Sequence, residues 1–290
     1  MHNEPQPIRK STLYVVATPI GNLDDMTPRA VEILKQADLV AAEDTRVTGH
    51  LLKHFGISTP MISLREHNER GMAEKLVARM QAGEAIAQVS DAGTPAISDP
   101  GALLAAAAHA AGIPVVPVAG ASALAAALSA AGFTAPHTLF YGFLPPKSNQ
   151  RREVLDGLKD AHWVTVFYEA PHRIADCLDD LAAVFGAERE AVLARELTKT
   201  FETIRRLPLG EMTDWVKSDS NQQRGEIVLV VDAAPPAEAQ DIAEHDSLLA
   251  PLVAELPLKQ AVALAQKISG APRNALYERA LELKKAAENN

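Results

Sequence analysis

The chain has 290 residues, enough for two compact domains or for one large domain with an appendage. A formal net charge of −9 argues against a general binder of polyanions, although a local basic patch can still serve a nucleic-acid enzyme. Hydrophobic residues make up 47 % of the chain, which can fill real cores and excludes disorder on the whole-chain scale.

The N-terminal "MHNEPQPIRKS" is polar and lacks an apolar signal core. Gly, Pro and His interrupt the alanine-rich stretches well before about 20 apolar residues, the length needed to span a bilayer. A cytoplasmic, soluble protein is expected. "LYVVA" (13–17) reads as a strand running into the turn-rich "TPIGNLDDMT". Thr27 and Pro28 open a helix over "RAVEILKQA". "DLVAAED" is the next strand, and "TRVTGHLLKHFG" a helix closed by Gly56. "MISL", the helix around "MAEKLVARMQAG" and the strand "EAIAQV" continue the alternation. An alanine-rich helix (102–111), the strand "IPVVPVA" and a helix from Ser122 complete it. Such alternation predicts a largely parallel sheet with both faces covered.

A second pass of the same kind begins at "HTLFYGFLP" (137–145) and passes through a helix after Ser148. The strand "WVTVFYEA" (163–170) follows, then a helix opened by Pro171, which also carries the single cysteine, Cys177. One cysteine allows no intrachain disulfide and fits a reducing compartment, and it reads as a small core residue. "LTKTFETIRRL" looks like a hairpin rather than another strand–helix unit, and "GEIVLVVD" (225–232) is the last strand. The expected domains are 12–129 and 130–233, joined by a Pro- and acid-rich linker (234–246) to a helical domain (247–290). The last carries two amphipathic helices broken at Gly270, with a local charge of about +3 from Leu256 onward. They suit either a helix-turn-helix or a packed helix pair.

Ligands of open α/β folds sit outside the carboxyl ends of the strands, where the glycine-bearing loops project. "ATPIGNLDD" lacks the glycine triplet and the lysine of nucleotide-phosphate loops, which removes the NAD and ATP readings. "SDAGTPAISDPG" (90–101) sets Asp91 and Asp99 beside Gly93 and Gly101, which permit close backbone approach and favour a cation nearby. His50 and His54 have i, i+4 spacing, but no zincin pattern and no third ligand, so no metal is expected.

"ATPIGNLDD", "SDAGTPAISDPG", "AGASAL" and "FYEAPHR", with "EDTR" (43–46), "EHNE" (66–69) and "RELTKTFE" (195–202), closely resemble the tetrapyrrole-methylase superfamily. Within it they resemble the branch of bacterial small-subunit ribosomal RNA cytidine 2′-O-methyltransferases that act at the decoding centre. The resemblance runs over roughly residues 12 to 285 and implies two α/β domains with S-adenosyl-L-methionine in the cleft between them. It also implies a small C-terminal helical domain, a homodimer, and ribosomal RNA or an assembled small subunit as partner. By that resemblance the cofactor contacts are Pro19, Gly21, Asp91, Ala92, Gly93, Ile97, Ser122, Ala123 and Tyr168. Glu43, Asp44, His67 and Glu169 are the candidate catalytic bases, His67 by its ordinary titration range. Arg46, Arg65, Lys147, Arg151, Arg152 and Arg173 are candidates for RNA phosphates. A small-molecule tetrapyrrole methyltransferase and a non-catalytic, S-adenosylmethionine-sensing regulator are the rival readings.

Overall fold

The computed structural model describes residues 7–235 and 245–288. The chain divides into two compact units, Met1–Ala233 and Ala234–Asn290. Most of the expected linker lies outside the described residues. Among the described residues, no helix is long and apolar enough to cross a membrane.

The first unit holds two five-stranded sheets. In the first, β1 (Thr12–Val16), β2 (Leu39–Ala42), β3 (Met61–Ser63), β4 (Ala85–Val89) and β5 (Val115–Val118) are all parallel, in the order β3-β2-β4-β1-β5. The connecting helices are α1 (Pro28–Gln36), α2 (Thr45–His54), α3 (Glu69–Gln81) and α4 (Ala102–Ala110). Every residue of β2 and β4 is buried, as strands covered on both faces require. Leu13, Leu39, Leu76 and Ile86 fill the core on one face, while Tyr14, Val16, Leu34 and Val40 fill it on the other. Thr27 Oγ1 accepts from the Ala30 N–H at 3.2 Å and Pro28 follows it, so α1 starts where its cap chemistry dictates.

The second sheet contains β6 (Thr138–Phe143), β7 (Val164–Glu169), β8 (Glu190–Arg195), β9 (Thr203–Pro208) and β10 (Ile227–Val231), ordered β6-β7-β10-β8-β9. Here the expectation of a second largely parallel sheet fails. Only β6 and β7 are parallel; β7–β10, β10–β8 and β8–β9 are antiparallel. The cause is the β8–β9 hairpin that the sequence did indicate. It turns the chain round, and β10 then returns between β7 and β8. Three helices, α6 (Ser148–Asp156), α7 (Ile174–Phe185) and α8 (Leu209–Ser218), contribute to the core on one face, around Phe167 and Leu229. The other face packs on α5 (Ala123–Ala131), whose Ala127 and Ala131 lie against Val166, Val192 and Val230. α5 falls largely within the expected first domain, 12–129, but its small side chains make it a cover for the second sheet.

The second unit consists of α9 (Asp246–Glu255), α10 (Leu258–Ser269) and α11 (Arg273–Glu288). Leu249, Val262, Ala265, Leu276 and Ala280 form its own core. Arg279 forks onto Asp246, with Nε to Oδ1 at 2.9 Å and Nη2 to Oδ2 at 2.6 Å, tying α11 to α9. Gly270, at φ 72°, separates α10 from α11 as expected. The helix α9 was not anticipated; it carries Pro251 within it.

Candidate active site

The loops after β1 and β4 are pinned together by a two-bond bridge. Thr18 N–H donates to Gly93 O at 2.8 Å and Gly93 N–H returns to Thr18 O at 3.0 Å. Gly93 sits at φ 77°, and two non-glycine residues of the same loop, Ala96 (φ 68°) and Ser98 (φ 64°), are also left-handed. Such residues cost of order 1–3 kcal/mol each and persist only where the surroundings hold them. Glu69 supplies part of that hold. It is buried, and its Oε1 accepts from the N–H groups of Gly101 (2.9 Å), Leu103 (2.8 Å) and Leu104 (3.2 Å). It thus caps α4, whose N-cap residue, Gly101, has no side chain of its own. Thr94 Oγ1 donates to Ala121 O at 3.1 Å, which joins the loop to the one before α5.

Ser122 does not cap α5 as its position suggested. The Leu124 N–H instead donates to the Tyr168 hydroxyl at 3.1 Å, so a side chain on β7 closes the helix start.

These loops and the second sheet enclose a cavity of about 390 Å³. Seven of the nine expected cofactor contacts line it: Asp91, Ala92, Gly93, Ile97, Ser122, Ala123 and Tyr168. Five acidic residues line it; Glu169 pairs with Arg173 and Glu226 with Lys199, which leaves Glu43, Asp91 and Asp99 outside any salt bridge among the described residues, and no described lysine or arginine lines it. Asp91 and the 43–44 segment clasp each other. The Asp91 N–H donates to Glu43 Oε2 at 3.2 Å, and the Asp44 N–H donates to Asp91 Oδ1 at 2.9 Å. Burial raises the proton affinity of Glu43, and the charges of Asp91 and Asp44 add to it. Asp99 is pushed up to about 6, chiefly by burial, then by the charges of Glu43 and Asp91. A half-buried site with three carboxylates outside salt bridges and no lysine or arginine on its wall favours a positively charged ligand.

The remaining site expectations fall elsewhere. Pro19 and Gly21 line an adjacent cavity rather than this one. A side chain on Gly21 would collide with Leu197 O, 2.9 Å from the ideal Cβ, and with the Lys199 stem, so this glycine is required by packing between the lobes. Asp44 is a poor base. Its hydrogen bonds with Arg46 (Nη2 at 2.6 Å) and with the Arg46 N–H hold its carboxyl far below the ordinary range. His67 lies exposed on the turn Glu66–Asn68 and borders neither cavity. Glu169 borders the cavity, but its carboxylate is shut in, accepting from the Ala170 N–H at 2.7 Å with Arg173 Nε 3.2 Å away. Of the four expected bases, only Glu43 presents its carboxylate.

Among the expected RNA contacts, Arg151 is overturned. It is 3 % exposed and its Nε donates to the equally buried Asp180 at 2.6 Å. Arg173 donates to the carbonyls of Leu144 (2.7 Å) and Pro145 (3.2 Å) and so braces the β6–α6 loop, with its side chain only 21 % exposed. Arg152 reaches Asp180 too but stays half-exposed, while Lys147, Arg46 and Arg65 keep accessible surfaces. Cys177 is fully buried, and burial followed by the nearby Glu169 drives its thiol well above the ordinary range, so it is a core residue.

Residues 12–213 match the family model for tetrapyrrole (corrin/porphyrin) methylases, and residues 239–284 match that of the RsmI C-terminal HTH domain. Ribosomal RNA small subunit methyltransferase I of Pseudomonas aeruginosa is 55 % identical over 273 residues, covering 93 % of this chain and 97 % of the relative. The enzyme of the same name from Escherichia coli O157:H7 is 52 % identical over 270 residues, 93 % of this chain and 94 % of its own. The chain belongs to the ribosomal RNA small subunit methyltransferase I family. Cobalt precorrin-4 methyltransferase, a solved cobalamin biosynthetic enzyme, shares the fold at 16 % identity, with a TM-score of 0.56 over 78 % of this chain and 97 % of that one.

In this methyltransferase several cavity residues escaped the sequence reading. Asp99 was visible in the loop motif but not assigned to the site. Leu197, just past the carboxyl end of β8, was likewise not assigned, and Glu226 was missed for a topological reason. The expectation placed ligands at strand carboxyl ends, but β10 runs antiparallel to β7 and pairs Ile227 with Glu169. Its amino-terminal end, from Gly225 to Val228, therefore meets the carboxyl end of β7 at the site.

Proposed function

We propose that the protein transfers the methyl group of S-adenosylmethionine to the 2′-oxygen of a cytidine ribose in small-subunit ribosomal RNA, at the decoding centre. The observation that carries the donor half is the cluster of Glu43, Asp91 and Asp99 in a cavity lined by no lysine or arginine. When bound, the donor supplies an electrophilic methyl group on a sulfonium, whose positive charge these carboxylates match. The glycine-bearing 91–93 segment brings the backbone close, and Ile97, Ala123 and Tyr168 supply the apolar and aromatic wall. The relatives' names, which say small-subunit ribosomal RNA, support the acceptor half.

The chain's main contribution is alignment, which is worth roughly 7–11 kcal/mol where the geometry is good. A ribose hydroxyl must also lose its proton as the oxygen–carbon bond forms and the sulfur–carbon bond breaks. Glu43, whose proton affinity burial raises, and Asp99, pushed up to about 6, are the groups on the cavity wall suited to receive it. Lys147, Arg152, Arg46 and Arg65 offer the exposed cations for the RNA backbone. The working unit in this reading is a homodimer in the cytoplasm, and sedimentation tests the first of these.

The deciding experiment incubates the protein with methyl-labelled S-adenosylmethionine and small ribosomal subunits from cells lacking this gene. Nuclease digestion and mass spectrometry should then find one 2′-O-methylcytidine. Label on a base, or label only on an added tetrapyrrole, would replace this reading.

A further inference from the structure

Beside the donor cavity lies a second one of about 440 Å³, and the two share Ile20, Asp91, Ala92 and Glu226. We propose that this second cavity is the acceptor subsite, seating the base of the target nucleotide against α2 and its ribose at the shared wall. The inference rests on the RNA-methylation reading above and adds where the nucleotide binds.

Three observations support it. The first is contiguity: the reacting atoms of donor and acceptor must come within about 3–3.5 Å, which two cavities divided by one common wall allow. The second is the chemistry of the helix face. Val47, Leu51 and His54 recur at the helical period along α2, with His50 beside them, and all four line the cavity. Val47 is 46 % exposed and His50 is solvent-facing, while Leu51 is half-buried and the His54 ring is held edge-on by Phe55 at 4.8 Å, so an aliphatic and imidazole surface faces the cavity. Flat surfaces of this kind take an unstacked base. This also gives the i, i+4 histidine pair a use other than metal binding, and no metal-ligating cluster occurs among the described residues.

The third observation is a pair of orphaned hydroxyls. Thr48 and Ser90 both line the cavity and are both 2 % exposed, and neither Oγ1 of Thr48 nor Oγ of Ser90 has a hydrogen-bond partner among the described residues. Buried polar groups are rarely left so, and a hydroxyl can both donate and accept, as a base edge or a ribose hydroxyl demands. The charge balance fits a nucleoside rather than a phosphate. The Lys199 ammonium is neutralised by Glu196 and Glu226, each at 2.8 Å, and Asp91 stands at the wall. Arg46, next to Val47 on the same helix, keeps its side chain 82 % exposed while pairing with Asp44 at 2.6 Å.

The test uses two variants of the full chain. Val47→Trp fills the subsite from an exposed position, and His50→Ala removes the imidazole surface. Each is assayed with small subunits from cells lacking this methyltransferase and with labelled S-adenosylmethionine, melting curves serving as the check of folding. Subunit kcat/KM should fall by about tenfold or more in both variants, the scale of one lost base stack. Donor affinity by calorimetry should stay within about twofold of the parent, because neither residue lines the donor cavity. Parental kcat/KM in both variants, or a parallel loss of donor affinity, overturns the subsite while leaving the function intact. A parent enzyme that labels no subunit overturns the functional reading and the subsite with it. Should Val47→Trp fail to fold, His50→Ala decides alone.

Discussion

Replacing Asp99 with asparagine removes one of the three carboxylates outside salt bridges from the proposed donor cavity and separates the cost of that charge from its use. In the folded protein the Asp99 carboxyl titrates at about 6 instead of 3.8, because burial and the charges of Glu43 and Asp91 oppose its ionisation. The folded state therefore holds this proton more tightly than the unfolded chain. Stability falls as pH rises through the interval between those two values. At face value the penalty at neutral pH is ~3 kcal/mol, and solvent screening of a half-exposed group lowers it to ~1–1.5 kcal/mol. Asp99→Asn should thus stabilise the ligand-free protein by about that amount near pH 7.5, raising its melting temperature by about 2–6 °C. Near pH 4.5 the gain should shrink to about a third, since the parent is then already protonated when folded. Donor affinity should move the other way, weakening about tenfold, or about 1.4 kcal/mol, through loss of attraction to the sulfonium. Differential scanning fluorimetry at the two pH values and calorimetry with S-adenosylmethionine measure these effects. A variant that melts below the parent near pH 7.5, or gains equally at both pH values, would refute the electrostatic argument.

Three further substitutions probe other parts of the site. Glu69→Ala leaves three amide groups at the start of α4 without their acceptor and should cost about 3 kcal/mol in urea unfolding; a loss below about 1 kcal/mol would show that Glu69 does not hold the loop. Arg151→Met breaks the buried pair with Asp180 and should cost about 3 kcal/mol. Its folded fraction should nevertheless bind subunits as the parent does, whereas Lys147→Ala should lower the salt dependence of binding by about one unit of slope. A reversed pattern would return Arg151 to the RNA surface. Tyr168→Phe removes the acceptor for Leu124 N–H and should cost about 1–2 kcal/mol while weakening donor binding less than tenfold; no change in either quantity would mean that water replaces the hydroxyl.

The first sheet was readable because its strands are short apolar runs alternating with helices, of which α1 and α2 open on a side-chain cap. Thr27, Pro28 and Gly56 mark boundaries through purely local chemistry. The donor loop was readable for a similar reason: its glycines and acids are adjacent in sequence. What escaped depends on groups brought together from far along the chain. Arg151 looks like a free surface cation in "KSNQRR", and only its meeting with Asp180, 29 residues later, buries it. Glu69 looks like one more polar residue at a helix start, yet it acts on amides more than 30 residues away. Sequence patterning reports which face of an element is apolar but not which partner neutralises a charge. The antiparallel return of β10 was hidden in the same way, since a continuous apolar run is compatible with either strand direction.

The fit of Gly21 beneath Leu197 and Lys199 bears on how such enzymes can be recombined. The two sheets invite treatment as interchangeable modules, to be spliced between relatives in search of new acceptors. That hydrogen-sized gap makes them a matched lock instead. A hybrid whose front half carries any larger residue at position 21 would prise apart the seam along which both substrates are to meet. Useful crossovers should therefore keep position 21 and the 197–199 segment from a single parent, whatever else is exchanged.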